Sequence, residues 1–419
     1  MNGTPTGLRA RLSAQLHATA GGLPAAYWYL WAGTLVNRLG GFVVPFLTFY
    51  LTRECGLSVA QAGLVASLHG VGAVAAGLVG GALADRLGRR TTLVGGLWSG
   101  AAGMVLLGFS RTPAEIAVAA LVAGFLGELY RPVVSAAVSD LVPASERTRA
   151  FGLLYWAVNV GFAIGVPLAG LVARSGFRIL FLADALTTFL YGLIVWWKVP
   201  ETRVSRPAPG VRLSSAVPFR DPVFLAFSLP VLVLAIIFYQ GQATLSLDLT
   251  ARGMSTAAFG GVLAVNGLLI MLVQPFASRV VGRLRRSSAL AGAAVLTGIG
   301  FGLHAVTEGA LLAALAVGIW TLGEIVQAPV KPSVVSDLAP PELRGSYQGA
   351  FHMLGGLAAF VAPALGGWVL QHFGSRVLWG GCLLLGLAAA GWHLLIAGAR
   401  RRRLEELHAE TPGLAARLD

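Results

Sequence analysis

Charge is what this sequence has least of. Only 12% of its 419 residues are Asp, Glu, Lys or Arg, about half the ~25% of soluble domains. Cysteine is almost missing as well. Cys55 and Cys382 are the only two, which leaves no disulfide framework and no cysteine metal site. No glycine-rich phosphate loop is followed by Lys and Ser or Thr, so an ATP-driven motor is not expected. Alternating strand patterns are absent, which leaves helices as the way to cross lipid. No metal-ligand cluster, nucleophile elbow or His/Asp pair at useful spacing marks a membrane-embedded enzyme. No cleavable signal peptide is visible: residues 1–23 are polar or mildly amphipathic, with Arg9 and Arg11, and the first apolar block reads as a retained anchor.

What is present in excess is apolar sequence, 56% of the chain. It falls into twelve blocks at 24–51, 59–84, 91–110, 114–142, 149–173, 177–199, 223–249, 258–282, 287–306, 310–338, 345–372 and 374–398. About 20 apolar helical residues cross a ~30 Å hydrocarbon layer. The expected fold is therefore an all-α membrane protein of twelve transmembrane helices. With both ends inside, the cytoplasmic segments hold 22 of the 31 Lys and Arg, and the outer loops hold six. That is the positive-inside pattern. The formal charge of +13 is accordingly expected to meet anionic lipid headgroups at the basic cytoplasmic loops, not nucleic acid.

Residues 200–222, rich in Pro, Ser and Arg, break the pattern and read as a cytoplasmic linker. The organisation is then a cytoplasmic segment 1–23, six helices in 24–199, the linker 200–222, six helices in 223–398 and a basic cytoplasmic tail 399–419. The halves resemble each other. Gly-Glu opens a segment at Gly127 and again at Gly323, and Val-Ser-Asp-Leu recurs at Val138–Leu141 and Val335–Leu338. Pro167-Leu-Ala-Gly170 answers Pro363-Ala-Leu-Gly366. Membrane carriers are commonly built from such repeats, with the ligand site near the midplane between them.

Between the second and third blocks runs Gly81-x3-Asp85-Arg86-x-Gly88-Arg89-Arg90. This stretch is similar to the signature of the major facilitator superfamily between helices 2 and 3. Val199-Pro200-Glu201-Thr202, closing the sixth block, also resembles that family. The fifth block carries Gly152-x8-Gly161-x3-Gly165-Val-Pro167-x2-Gly170, which resembles the glycine–proline motif of the family's antiporters, with Val166 as one inserted residue. The fourth block departs from the family's exporters: Ala123, Leu126 and Gly127 stand where those carry Arg-x2-Gln-Gly. The resemblance implies two six-helix bundles and alternating access. It implies proton-driven export of hydrophobic or cationic small molecules, as in the twelve-helix drug:proton antiporters. It implies a monomer in the inner membrane with no cofactor beyond the proton gradient. A proton-coupled carrier of a metabolite or peptide-like substrate remains an alternative, although Asn37-Arg38 keeps only the Arg of the peptide symporters' Glu-x2-Glu-Arg. A non-transporting sensor or scramblase, or a membrane enzyme, is the alternative from another class.

Charges inside a membrane are costly and mark candidate sites. Glu128 and Glu324 are repeat mates near the midplane, candidates for proton coupling. Asp140 is a third, since a carboxylate at that position is implicated in coupling in multidrug relatives; a gate role in a charge cluster with Arg89 or Arg90 is its other reading. Glu128 and Arg131, spaced i,i+3, share a face, and the alternative role is a static buried pair. Asn37, Arg38, His69, Arg131, Tyr155, Asn159, Tyr239, Gln240, Asn266 and Lys331 are candidate cavity residues, with hydrogen bonding between helices as the other role for the polar ones. His304, His352 and His393 lack ligand spacing and read as packing residues. Asp184 and Asp248, toward outer helix ends, are expected to be hydrated. Gly81, Asp85, Arg86, Gly88, Arg89, Arg90 and Asp337 are expected at a cytoplasmic gate. The resemblance implies that Asp85 meets the N-terminus of helix 11, where the helix dipole favours an anion. Gly282-Arg-Leu-Arg-Arg286 is the matching turn of the second half and has no such Asp.

Overall fold

The computed structural model describes residues 21–41, 47, 50–52, 54–172, 176–203 and 215–410. The expectations for residues 1–20, most of the linker and the last nine residues of the tail lie outside the described residues, as does the middle of the outer part of the first block.

Among the described residues the apolar blocks become helices because a run without charge or strand alternation can satisfy its backbone only internally. The helices are α1 Ala25–Leu39, α2 Val59–Leu87, α3 Arg89–Phe109, α4 Pro113–Glu128, α5 Tyr130–Leu141, α6 Arg147–Val172 and α7 Phe177–Lys198. After the linker come α8 Pro222–Ala251, α9 Thr256–Gly282, α10 Arg286–Leu303, α11 Gly309–Leu338, α12 Arg344–Leu395 and α13 Ala397–Glu410. Among the described residues ten helical runs are long and apolar enough to cross a membrane. Two details separate this from the expected twelve. Only Ala25–Leu39 of the first block is described as a continuous helix. The last two blocks run on as α12, which breaks inside at Gly374, where φ is 79°. α4 and α5 form one path interrupted at Leu129.

Polar residues set the helix starts. Ser58 and Gln61 form a capping box on α2, and Thr112 and Glu115 form one on α4, with Pro113 in its first turn. Asp221 accepts from the N–H groups of Val223 (2.9 Å) and Phe224 (3.0 Å) to start α8. The α2–α3 turn needs glycine: Gly88 has φ 99°, and a Cβ there would run into the Glu201 carboxylate. Glu201 accepts instead from the N–H of Arg89 (2.8 Å) and Arg90 (3.2 Å), capping α3 from across the sequence.

The buried apolar residues gather in separate clusters. Leu30, Leu97, Val133 and Tyr191 belong to one in the first half, and Leu234, Phe301, Val317 and Trp379 to one in the second. The halves touch along two seams. On one, α2 meets α12, where Gly81 lies against Gly345 and Gly77 against Gly349 so closely that added Cβ atoms would strike backbone carbonyls. On the other, α6 meets α9 and α11, and Gly152 leaves room for Ser278. Small residues here bring backbones together, as membrane helix packing requires. α13 is docked under the second half: Arg400 donates to Ser287 (2.7 Å) and to the His393 carbonyl (3.0 Å). Burial, with Arg286 nearby, pushes its guanidinium down to about 10, so it stays charged at neutral pH.

Candidate functional site

Between the two seams lies a cavity of 1270 Å³. Its wall is mostly apolar, with Val74, Phe162, Phe351 and Phe360 on it, and a few polar groups converge there. Of the residues expected to line it, Asn37, Arg38, His69, Arg131, Tyr155, Tyr239 and Lys331 do so. Glu128 lies on the wall too, and Arg131 Nε is 2.6 Å from its carboxylate. Asn159, Gln240 and Asn266 do not reach the wall. Asn159 donates to the Tyr155 carbonyl of its own helix (2.9 Å). Gln240, 2% exposed, bridges to the Ala362 carbonyl of α12 (3.0 Å). The spare hydrogen-bonding capacity of these amides was better used between or along helices than in the cavity.

Arg38 heads a chain of hydrogen bonds across the first half. Its Nη2 donates to the Tyr130 hydroxyl (2.8 Å), which donates to Asn37 Oδ1 (2.8 Å). Asn37 Nδ2 donates to Thr188 Oγ1 (2.8 Å), which donates to Asp184 (3.4 Å). Asp184, expected to be hydrated at a helix end, is 7% exposed and bonded to Thr188, on the cavity wall. Asp248 departs from expectation in the same way. It is 4% exposed, paired with Arg252 at 2.5 Å, and accepts from the Trp379 indole N–H at 2.7 Å. Burial of a carboxylate is tolerated where donors surround it.

Glu324 lies just behind the wall. The Tyr155 hydroxyl, from α6 in the first half, donates to its Oε1. Asn266, from α9 in the second half, donates to its Oε2 at 2.7 Å and also to Thr321 Oγ1 at 3.0 Å. The acid is 6% exposed and has no ion-pair partner within 4 Å among the described residues. Lys331 is seven residues on, about 10 Å along the helix, and feels Glu324 electrostatically without contact.

One end of the cavity is sealed by charge. Asp85 accepts from the N–H of Gly345 (2.9 Å) and Ser346 (2.7 Å) and from the Ser346 hydroxyl (2.6 Å), which places it on the N-terminus of α12. Arg89 reaches Asp85 at 3.3 Å and Asp140 at 2.8 Å. Asp140 also holds Arg344 at 2.8 Å. On the other half Asp337 holds Arg286 and Arg147, each at 3.0 Å. Ser139 and Ser336, 197 residues apart, bond each other at 2.5 Å. Arg89 and Arg286, Asp140 and Asp337, and Arg147 and Arg344 share that same spacing. Each Asp therefore takes one Arg from its own half and one from the other. Asp140 belongs to this seal and not to the cavity, because two guanidiniums hold it at a fully buried side-chain position. Arg90 stays outside these ion pairs. Arg86 is exposed, and Arg90 turns to the Trp196 carbonyl of α7.

The glycine–proline motif of α6 serves close packing. A Cβ at Gly161 would strike Arg38, and one at Gly165 would come 2.9 Å from the Leu39 carbonyl. Pro167 is exposed, and Gly170 lies in the same helix. Arg147, Arg344, Tyr130 and Thr188 were not singled out by the sequence, and Glu201 stood out only within the Val199–Thr202 motif. Only the 197-residue repeat, extended to the arginines, held a signal for some of them.

Two helical halves around a largely apolar cavity with a few polar groups, sealed by ion pairs at one end, define a carrier of small molecules. The chain belongs to the Major Facilitator Superfamily, whose family model matches residues 30–363. It is a multi-pass membrane transporter and not an enzyme. It is 30% identical over 370 residues to the uncharacterized MFS-type transporter YttB of Bacillus subtilis, covering 85% of this chain and 91% of that one. It is 27% identical over 364 residues to a Na(+), Li(+), K(+)/H(+) antiporter of Planococcus maritimus, covering 78% and 85%. It is 24% identical over 393 residues to the multidrug resistance protein MdtH of Escherichia coli, covering 90% and 96%. Its fold is that of the human organic anion transporter MFSD10, with a TM-score of 0.74 and 19% identity over 88% of this chain and all of that one.

Proposed function

We propose that this protein exports hydrophobic small molecules in exchange for protons by alternating access. Twelve spans in two six-helix bundles, with both termini and the Arg89 seal on the cytoplasmic side of the cell membrane, are the arrangement that this reading uses. The state with that seal shut is then the outward-facing one. The positive-inside distribution supports the orientation, and the crosswise Arg–Asp pairs support a two-fold related pair of bundles. Relatives that include a cation/proton antiporter and a multidrug resistance protein support the class of transport. The sequence also allowed cationic cargo. The wall narrows this, because Arg38, Arg131 and Lys331 outnumber Glu128 and Asp184 there, and a permanent cation meets repulsion.

The observation that carries the reading is Glu324. It is a buried carboxyl held by two neutral donors across the junction of the halves. Such a group can gain or lose a proton without breaking an ion pair. Glu128 is already committed to Arg131. The test is uptake of a hydrophobic dye into inside-out proteoliposomes with an imposed pH gradient. Glu324→Gln should lose accumulation against a gradient while keeping downhill exchange. Undiminished uphill transport by Glu324→Gln removes the proposal.

A further inference from the structure

We infer that Tyr155 and Glu324 form a proton-released clamp between the two halves of the transporter, with Tyr155 as its positioning residue. The inference rests on the reading of Glu324 as the proton-coupling acid and adds how its proton moves the protein.

Tyr155 belongs to α6 of the first half and Glu324 to α11 of the second. Their hydrogen bond spans the seam where α6 meets α11. The second donor to Glu324, Asn266, sits on α9 of the same half as the acid. Rocking the halves therefore stretches the Tyr155 bond and leaves the Asn266 bond in place. A hydroxyl bonded to an ionised carboxylate is roughly twice as strong a contact as one bonded to a neutral acid. The clamp is then tight when Glu324 is ionised and loose when it is protonated. By linkage, the clamped arrangement disfavours the proton, and the proton disfavours the clamped arrangement.

The clamped arrangement is the one in which the Arg89 end is sealed, since both contacts are present together. Protons arriving through the cavity loosen the clamp, and the halves move to open the sealed end. Tyr155 itself lines the cavity, so it stands between arriving protons and the acid. The titratable and charged groups around Glu324 are Tyr155 of α6 and Lys331 of its own helix. Tyr239 of α8, Arg131 of α5 and His352 of α12 face the same cavity. α9 presents the neutral Asn266. None of the others bonds the acid across the seam, which singles out Tyr155.

The experiment follows distance between spin labels on α2 and α12 at the Arg89 end, in detergent, as pH is lowered. The unaltered protein should move from the sealed to the opened population by on the order of tenfold. Tyr155→Phe should already favour the opened population at high pH and lose most of that pH-driven shift. Asn266→Ala, which cuts the bond within one half, should keep the shift. An unchanged pH-driven shift in Tyr155→Phe overturns the clamp, as does an equal loss in both variants. Loss of uphill transport in Glu324→Gln alongside an unchanged Tyr155→Phe shift would overturn the clamp and leave the coupling acid standing. Continued uphill transport by Glu324→Gln would remove the coupling acid itself. A single gel-filtration peak and cooperative thermal unfolding followed by tryptophan fluorescence verify that Tyr155→Phe is folded.

Discussion

Glu128 and Glu324 occupy matching places in a repeated sequence, yet the two halves of the fold use them differently. Glu128 lies on the cavity wall with Arg131 at 2.6 Å, and both side chains keep contact with the open space, at 22% and 39% exposed. Glu324 is 6% exposed, meets only the neutral donors Tyr155 and Asn266, and is shielded from the cavity by the first of these. The difference comes from what stands three residues on. In the first half that is Arg131, and in the second, Gln327, which donates to Thr297 (3.3 Å) and is 4% exposed. A repeat thus preserved the acid and changed its counterion. An acid with a fixed counterion holds structure, and an acid without one is available to protons.

The largest expected effect separates the two acids directly. Glu324→Gln should lose accumulation against a gradient altogether. Glu128→Gln removes a part-exposed pair worth ~0–1 kcal/mol, so uphill rate should stay within about fivefold. Equal loss in both variants, measured by dye accumulation in proteoliposomes, would erase the asymmetry. The next effect concerns the seal. Asp140→Asn leaves Arg344 without its countercharge and Arg89 with Asp85 alone in a buried site, a change that costs about 3 kcal/mol or more. The sealed population should fall by roughly 100-fold, read from spin-label distances at the Arg89 end. Asp337→Asn should do the same, somewhat less, because Arg286 is 29% exposed and water can replace part of the contact. A seal that survives both changes would show that the α2–α12 glycine packing holds it alone.

A smaller effect tests why Glu128 is static. Arg131→Met should lower thermal stability by about 1 kcal/mol, and adding Glu128→Gln should restore most of it. Thermal unfolding followed by intrinsic tryptophan fluorescence reads both. Failure of the second change to rescue would mean that Arg131 works through packing and not through its charge.

How much of this was written in the sequence differs by residue. Apolar blocks and the Gly81–Arg90 turn were legible because hydropathy and a positive-φ glycine are local properties. The contact of Asp85 with the start of α12 was legible only through family resemblance, and the bonds to Gly345 and Ser346 have that form. The crosswise pairs were not legible. Arg147 and Asp337 are 190 residues apart and Arg344 and Asp140 are 204 apart, so no window joins them. Whether Asn159, Gln240 and Asn266 face the cavity or hydrogen-bond within the helical packing stayed open, because uniformly high hydropathy does not say which side of a helix faces the cavity; they take the second role. Asp184 and Asp248 looked hydrated because their partners Thr188 and Trp379 are reached only by side-chain orientation. Even the twelve-span count is finer than the helices themselves, since α12 runs through Gly374 as one path.

The smallest expected effect comes from repairing the one asymmetry of the seal. Asp85 caps the N-terminus of α12, while the matching place in the second half is Gly282, at the end of α9 and facing the start of α6. A Cβ there would find Thr148 at 3.8 Å, ordinary contact distance, and Gly282 has no positive φ to strain a side chain. Gly282→Asp therefore fits. Its carboxylate would point at the start of α6, where a helix N-terminus attracts an anion by ~0.3–1 kcal/mol. The C-terminal position on α9 takes back part of that gain, as it already does for Asp85 on α2. The sealed population should rise by about twofold to threefold, and turnover should slow by a similar factor because opening becomes the harder step. Spin-label distances and dye export measured on the same preparation decide it. If Gly282→Asp opens the seal instead, the two halves are not equivalent at this end. Asp85 would then owe its place to Ser346, whose hydroxyl also bonds it and whose counterpart in the first half is Arg149.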